Sequence, residues 1–152
     1  DAHFPVEWGD TVPDKAFVGR LDVVKVKIPS WIKKIDKEAF EDCTNLEEFS
    51  VPPGVTFGSS VFGSKKDNTS CSKLQATTVL GDADFPVEWG DTVPQKAFFR
   101  RYDVWKVEIP SRIKKISKLA FLNCGNLEEC VVPSGTEVLE GAFPKMFDVT
   151  YV

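Results

Sequence analysis

Pairs of a small apolar residue followed by phenylalanine recur along the chain at nearly constant intervals. The spacings between the phenylalanines of successive pairs are 23, 22, 36, 23 and 22 residues. A repeat of roughly 20 to 30 residues is typical of a solenoid, in which stacked coils share a core that no single coil can form alone. The phenylalanines of these pairs are Phe17, Phe40, Phe62, Phe98, Phe121 and Phe143.

A short apolar frame that ends in proline precedes most of these pairs. In the first such frame, Val26 and Ile28 alternate with lysine, and Pro29 removes the backbone donor that would continue a strand ladder. Ile32 and Ile35 are the apolar residues of the return segment. The pattern predicts strands that form one parallel sheet along the coils, at 23–28, 46–51, 104–109 and 127–132.

The strand register also predicts which charged side chains become neighbours on the outer face of the sheet. One coil further along the chain, Glu48 occupies the place of Lys25, and Glu129 occupies the place of Lys106. Ladders of opposite charge are ordinary on solenoids, and each such pair contributes at most about 1 kcal/mol. We therefore interpret these residues as part of a solvated surface and not as candidate catalytic or binding residues.

The chain is an internal duplication. Residues 1–62 and 82–143 align without gaps at an offset of 81 and are identical at 39 of 62 positions. The polar stretch 63–80 has no counterpart, and we expect it to be an irregular insertion. Residues 144–152 are expected to form a partial final coil. We therefore predict a single solenoid over the whole of 1–152.

Two segments of the chain resemble a known repeat family. IPSWIKKIDKEAFEDCTNLEEFSVP and IPSRIKKISKLAFLNCGNLEECVVP are similar to BspA-type leucine-rich repeats, whose units share the Ile-Pro strand, the Ile-x-x-Ile return, Ala-Phe and Cys-x-x-Leu. The resemblance implies a short open leucine-rich-repeat solenoid of the α/β class, β-dominated, with short helical or irregular return segments. It also implies binding or scaffolding, and it brings no catalytic residues.

Composition and charge argue against several classes of function. The chain has 152 residues, 42% of them hydrophobic, and a formal net charge of −4, which argues against a dedicated nucleic-acid binder. No apolar run reaches the ~18 residues that a membrane span needs. The only histidine is His3, and no nucleophile, phosphate-loop or zinc motif occurs. We expect neither catalysis nor a cofactor nor a metal site.

Aromatic residues that differ between the two copies are the best candidates for a partner contact. Trp31 and Trp105 are each replaced by another residue type in the opposite copy, which indicates that both are exposed. Exposed tryptophans are favoured anchors of protein interfaces. Phe99 and Tyr102 extend the candidate patch in the second copy. The two tryptophans that both copies share are expected to be structural.

The four cysteines allow two readings. Cys43 and Cys124 occupy the Cys-x-x-Leu position of the repeat, where cysteine serves as a small buried residue. Cys130 replaces a core residue of the first copy and is expected to be buried too. Cys71 lies in the polar stretch, where a bridge to Cys43 would hold the insertion in place. The sequence leaves the disulfide state of all four open.

These observations favour a non-catalytic module that binds protein. One setting is an accessory subunit, or a segment of a larger assembly, peripheral to a membrane complex. The alternative is a secreted or cell-surface recognition protein that binds a protein or a carbohydrate. The first residue is not methionine, which suggests a processed precursor in an organelle or outside the cell.

The ends of the predicted solenoid carry no polar cap. Phe4 and Trp8 at one end belong to an ordinary coil, and Val149 and Val152 at the other continue the strand register. Terminal coils normally need a cap, because each coil presents apolar surface to the next. We therefore expect at least one end to pack on another chain or on a further copy of this one.

Overall fold

The chain winds into six stacked coils, and the strands of successive coils lie side by side in parallel. The computed structural model describes residues 2–65 and 68–152. One side of the coils carries two-residue strands: β1 (Thr11–Val12), β3 (Lys34–Ile35), β5 (Thr56–Phe57), β7 (Thr92–Val93), β9 (Lys115–Ile116) and β11 (Glu137–Val138). The other side carries β2 (Lys25–Lys27), β4 (Glu48–Ser50), β6 (Thr78–Leu80), β8 (Val104–Glu108), β10 (Glu129–Val132) and β12 (Thr150–Tyr151).

The only helical elements of the described residues are three short 3₁₀ turns, at Val6–Trp8, Asp82–Asp84 and Val87–Trp89. Coil 1 runs from residue 2 to the residue before β2. Each later coil runs from one even-numbered strand to the residue before the next, and β12 follows the last coil. The coils are then coil 1 (2–24), coil 2 (25–47), coil 3 (48–77), coil 4 (78–103), coil 5 (104–128) and coil 6 (129–149).

The predicted solenoid is confirmed, and all four predicted strands lie where the apolar frame placed them. Each is shorter than predicted, because the ladder covers only the residues that pair with a neighbouring coil. The expected charge neighbours are also present. Lys25 and Glu48 are 3.6 Å apart, and Lys106 lies 3.6 Å from Glu129, which confirms the register of the units.

The prediction of one parallel sheet is wrong. The even-numbered strands form two separate sheets, β2-β4 and β6-β8-β10-β12, and the odd-numbered strands form two more, β1-β3-β5 and β7-β9-β11. Between β4 and β6 the ladder is replaced by isolated bonds. Gln75 N–H donates to the Glu47 carbonyl at 3.0 Å, and the Thr77 hydroxyl donates to the Phe49 carbonyl at 3.2 Å.

Extra residues in coils 3 and 4 cause this division. In coil 2 the cysteine follows Phe40 by three residues, whereas in coil 3 Cys71 follows Phe62 by nine. The added length shifts the chain that follows out of register with β4. The stretch 63–80 is therefore not irregular throughout: Leu74 returns to the core and β6 pairs with β8.

The Ala-Phe turns bind each coil to the next through the backbone. Phe17 N–H donates to the Ala39 carbonyl and Phe98 N–H to the Ala120 carbonyl, both at 2.8 Å. The alanines of coils 2 and 5 are fully buried, which allows this close approach. The residue before the pair adopts a positive φ in every coil, with φ 58° at Lys15. The turn therefore bends sharply enough to point each phenylalanine into the core.

The core follows the duplication. One buried cluster runs through coils 1 to 3 and a second through coils 4 to 6. Tyr102 is the exception, because it belongs to coil 4 but packs in the cluster of the first three coils. The shared tryptophans Trp8 and Trp89 are half-buried against Phe17 and Phe98, as expected of structural residues.

Candidate functional site

The extra residues of coil 3 fold over the side chain of Tyr102. Its hydroxyl donates to the Lys65 carbonyl at 3.1 Å, and Arg100 donates to the Ser64 carbonyl. Asn68 closes the loop by donating to the Cys71 carbonyl at 3.1 Å. Only 2% of Tyr102 is exposed. The expectation that Tyr102 is an exposed anchor is therefore wrong, because the insertion covers it.

Where the insertion returns to the sheet it leaves an open groove of about 330 Å³ beside Trp105. The groove lies between the end of coil 3 and the end of coil 5. A smaller depression of about 270 Å³ adjoins it on the side of Tyr102. The residues that line the groove are Leu74, Gln75, Ala76, Trp105, Gly125, Asn126, Leu127 and Glu128.

Trp105 is held in this groove by the ladder of β8. Its carbonyl accepts the Glu128 N–H at 2.7 Å, so the backbone under the ring is fixed to the segment that leads into β10. The ring itself is half-buried, and the Lys106 ammonium lies 5.9 Å from its centroid. In the first copy the same position is Val24. The aromatic surface is therefore a feature of one copy only.

Polar groups surround the ring of Trp105. Gln75 and Glu128 are exposed along the groove, whereas Leu74 and Leu127 are 7% and 8% exposed and form its floor. Asn126 is fixed by donating its amide to the Tyr102 carbonyl at 2.8 Å. An apolar ring with a polar border is the usual composition of a recognition site. The groove can hold a ligand, but it offers no nucleophile or acid–base pair.

The predicted contact patch does not form one surface. Trp31 lies in the turn after β2 and is 52% exposed, away from the groove. Phe99 is half-buried between two cations, with Arg100 4.6 Å and Lys96 5.5 Å from its ring, and lines a separate cavity of about 120 Å³. Trp105 and Tyr102 line two adjoining depressions, which share Leu74, Gly125 and Asn126.

A wider depression of about 580 Å³ lies over β2 and β4 on the outer face of the strands. It is crossed by the ion pair of Lys25 and Glu48, both of which are mostly exposed. Neither residue is buried enough to make a specific contact, and exposed pairs of this kind contribute little. The groove at Trp105 is therefore the better candidate.

All four cysteines are free and buried, so the alternative of a Cys43–Cys71 disulfide is wrong. The thiols of Cys43, Cys71 and Cys124 instead donate to the carbonyl of the phenylalanine in the preceding coil, at 3.0 to 3.1 Å. Burial raises the pKa of Cys43 to about 11 and the pKa of Cys71 to about 12. These thiols are structural residues with little nucleophilic character.

Two further features, a metal site and a membrane-spanning helix, were sought in the parts of the chain that the structure describes. Across residues 2–65 and 68–152, no three side chains of histidine, cysteine, aspartate or glutamate are grouped to hold a metal ion. In the same residues no helix has the length and apolar character needed to cross a bilayer.

The polar members of the groove were not predicted from the sequence. Gln75, Asn126 and Glu128 are common surface residues, and nothing in their spacing marks them as neighbours. One signal was available: Cys71 and Leu74 repeat the Cys-x-x-Leu spacing of the other units. That spacing would have shown that coil 3 rejoins the repeat and that residues 74–76 lie beside β8.

A comparison with protein families identifies the repeat. The model described as BspA type leucine rich repeat region (6 copies) matches residues 9–85, about half of the chain. The chain belongs to this family. The assignment agrees with the coil geometry and with the buried cysteine of the Cys-x-x-Leu motif.

Two solved structures share the fold of this leucine-rich repeat protein. A leucine-rich repeat protein of T. pallidum is 22% identical with a TM-score of 0.50, and one from Bacteroides ovatus is 21% identical with a TM-score of 0.53. The chain aligns over 93% and 92% of its own length but spans only 65% and 40% of theirs. At this identity the likeness concerns the fold alone. A comparison with curated protein sequences gives no match.

Proposed function

We propose that this protein is a non-catalytic recognition module that binds a protein partner through the groove beside Trp105, as an accessory component of a larger assembly. The leucine-rich repeat family is one of interaction and recognition modules, typically without catalysis. The observation that carries the proposal is the difference between the copies. β8 carries Trp105 where the first copy has Val24, and the extra residues of coil 3 end beside this tryptophan.

The composition of the groove favours a protein partner over a small ligand. The groove is shallow and open. A flat or extended protein segment can therefore reach Trp105, whereas a small ligand would find no enclosed pocket there. Tryptophan is enriched among the residues that dominate interface energetics, usually inside a border of polar residues. Gln75 and Glu128 supply that border here, and both are exposed.

A carbohydrate ligand is the second candidate, in the setting of a secreted or cell-surface protein. The specific observation in its favour is the half-exposed ring of Trp105 beside the side chains of Gln75, Asn126 and Glu128. An apolar ring next to amide and carboxylate groups offers stacking to the flat face of a sugar and hydrogen bonds to its hydroxyls.

The test exchanges residues between the copies. Trp105→Val installs the residue that the first copy carries at this position, so the strand is expected to keep its fold. Trp31→Arg is the matched control, because it removes the other exposed tryptophan and installs the residue of the second copy. A photo-reactive amino acid at Glu128, in place of glutamate, then captures whatever occupies the groove, and mass spectrometry identifies it.

A protein that cross-links at position 128, is lost in Trp105→Val and is retained in Trp31→Arg supports the proposal. Binding to a glycan array that is lost in Trp105→Val and retained in Trp31→Arg would instead support the carbohydrate alternative. A ligand bound equally well by wild type and Trp105→Val contradicts both, because the groove then plays no part in recognition.

A further inference from the structure

The two halves of the chain differ in charge along one edge of the solenoid. The Ala-Phe turns of successive coils form this edge, the turn edge. Residues 1–47 and 82–128 differ at 13 of 47 positions, and seven of these lie on the turn edge. At each of the seven, the second copy either lacks an acidic residue of the first or carries a phenylalanine or an arginine in place of a smaller residue. The seven pairs are Asp14/Gln95, Val18/Phe99, Gly19/Arg100, Asp36/Ser117, Glu38/Leu119, Glu41/Leu122 and Asp42/Asn123.

The first half presents an acidic segment on the turn edge. Asp36 is paired with Lys34 at 3.2 Å. The other carboxylates of the edge form the acidic segment, and none of them takes part in an ion pair within residues 2–65 and 68–152. A hydrogen bond between the carboxyl groups of Glu38 and Glu41 raises the pKa of Glu41 and lowers that of Glu38. Like charges are therefore crowded here. The acidic segment consists of Asp14, Glu38, Glu41 and Asp42.

The second half presents a basic and apolar segment at the same place. Arg100 N–H donates to the Leu122 carbonyl at 3.1 Å, so the turns of coils 4 and 5 adjoin. The half-buried ring of Phe99 has cations 4.6 and 5.5 Å from its centroid, and the leucines beside it are half-buried too. In the described part of the chain, the cations of this segment form no ion pair. The basic segment consists of Lys96, Phe99, Arg100, Lys118, Leu119 and Leu122.

Arg100 occupies a backbone position that favours glycine. Its φ is 59°, and its counterpart Gly19 has φ 70°. A side chain is strained in this conformation, whereas glycine is not. The guanidinium donates to the Ser64 carbonyl and lies over the ring of Phe99. These contacts hold a positive charge on the turn edge in spite of the backbone strain.

Two further arginines at this edge add no net charge, because an aspartate two residues later neutralises each of them. Two guanidinium nitrogens of Arg101 bond the carboxylate of Asp103 at 2.9 and 3.0 Å, and the side chains are 8% and 0% exposed. The ring of Phe57 covers this buried fork, with its centroid 3.4 Å from Cζ. The counterparts Arg20 and Asp22 form the same two bonds at 2.8 and 2.7 Å but are 45% and 64% exposed.

We propose that two copies of this chain pair along their turn edges in antiparallel orientation, so that the acidic segment of each contacts the basic segment of the other. A two-fold axis makes this contact twice and closes it, which gives a dimer. Between the two segments, the turn of coil 3 carries the small uncharged residues Gly58, Ser59 and Ser60, so the edges can approach there. Two identical halves would place like charges opposite each other. The differences between the copies make the edge complementary to itself.

A second copy fits the turn edge better than a uniformly anionic surface does. A lipid surface or another extended polyanion that reached Lys96 and Arg100 would also face Glu38 and Glu41 on the same edge, and like charges repel it. An antiparallel copy places the opposite charge against each segment. Most of these charges are exposed, so salt should weaken the pairing, whereas the contribution of Phe99, Leu119 and Leu122 should persist.

Exchange of residues between the copies tests the proposal. The all-acidic variant carries Leu119→Glu, Leu122→Glu and Asn123→Asp. The all-basic variant carries Glu38→Leu, Glu41→Leu and Asp42→Asn. Each substitution installs the residue of the other copy at that position, so the fold is expected to be kept. Circular dichroism and thermal melting check this. The control is Lys27→Glu, the same kind of exchange at an exposed position of β2, away from the turn edge.

Sedimentation velocity at low ionic strength, from low to high micromolar concentration, gives the readout. We expect a dimer of twice 17.0 kDa in wild type and in Lys27→Glu, and a monomer in each of the two edge variants alone. An equimolar mixture of the two variants should form a dimer again, because every acidic segment then faces a basic one. High salt should dissociate the wild-type dimer.

Several results would overturn the proposal: a monomeric wild type at every concentration, a dimer of either edge variant alone, or a mixture that stays monomeric. A series of masses above the dimer would also overturn it, because a two-fold contact closes. A monomeric wild type that binds vesicles of phosphatidylcholine and phosphatidylserine, with binding lost in the all-acidic variant, would assign the basic segment to a membrane surface instead. Since Trp105 is unchanged throughout, these outcomes are independent of the groove.

Discussion

The ring of Phe121 lies parallel to the ring of Phe143 in the next coil, with centroids 4.9 Å apart and an angle of 6° between the planes. On its other side Phe121 stacks on Phe98 at 5.1 Å. The same arrangement joins Phe17 to Phe40 in the first copy, at 5.0 Å and 5°. A column of rings therefore runs through each half of the solenoid and joins the three coils of that half.

Removal of a ring from the middle of a column should be costly. Phe40 and Phe121 are both fully buried, as the repeat predicted, and each has an aromatic neighbour in both adjoining coils. We expect Phe40→Ala and Phe121→Ala each to lower the free energy of unfolding by about 3 to 5 kcal/mol, measured by urea denaturation. Val87→Ala, at an exposed site, is the control. A loss below about 1 kcal/mol at both phenylalanines would show that the column does not support the fold.

The buried fork gives a second prediction. Asp103→Asn leaves the Arg101 guanidinium buried without its counter-ion, and we expect a loss of about 3 to 5 kcal/mol in the free energy of unfolding. Asp22→Asn makes the same change at the exposed counterpart and should have a far smaller effect, because water replaces the lost contact. Equal effects in the two variants, measured by the same urea titration, would contradict the difference in burial.

The buried thiols predict a loss of stability in alkali. Burial raises the pKa of Cys71, Cys124 and Cys130 to about 12, from 9.0 in the unfolded chain. The folded state therefore keeps these thiols protonated while the unfolded state ionises them. Their contribution is fully present below pH 9 and is lost as the pH rises toward about 12. Thermal melting across this range should show a falling midpoint.

A reagent for free thiols measures the same property more directly. We expect almost no reaction of the native protein at pH 8 and reaction of all four cysteines after unfolding in urea. Native reaction at Cys43 or Cys71 would mean that the coils open there. Fewer than four reactive thiols in the unfolded chain would mean that a disulfide had formed.

The turn before each Ala-Phe pair provides a stabilising substitution. Lys15 is exposed and has φ 58°, a conformation that costs a residue with a side chain about 1 to 2 kcal/mol. Glycine avoids this cost but loses more backbone entropy on folding, so Lys15→Gly should raise the free energy of unfolding by about 0.5 to 1 kcal/mol. Lys37→Gly in the equivalent turn, at a residue with ordinary φ, should lower it. A loss of stability in Lys15→Gly would contradict the expectation.

The repeat pattern predicted the fold well because each coil is built from local rules. A proline such as Pro29 ends the strand of its coil. An alanine such as Ala39 permits the close approach of two coils, and a phenylalanine such as Phe40 fills the space between them. The same rules predict that Lys25 lies beside Glu48, and the two side chains are 3.6 Å apart. The errors arose where those rules were interrupted, in the extra residues of coils 3 and 4 that divide the sheets.

The candidate site was only partly predictable. The difference between Trp105 and Val24 marked the position, but the same reasoning selected Tyr102, which the insertion buries. It also grouped Trp31 with Trp105, although they lie on different coils and line no common groove. A residue that differs between the copies lies in a changed environment. The difference alone does not show whether the residue is exposed to solvent or buried by another part of the chain.

The sequence by itself determined the solenoid, the period of its coils, the buried phenylalanine column and the duplication, because all of these depend on residue types that recur at short range. Only the tertiary structure decided that Arg101 and Asp103 are buried while Arg20 and Asp22 are exposed, although the four residues form two identical motifs. The physical reason is that burial depends on what lies across the contact. The ring of Phe57 in coil 3 lies over Arg101, whereas 45% of the Arg20 side chain remains exposed.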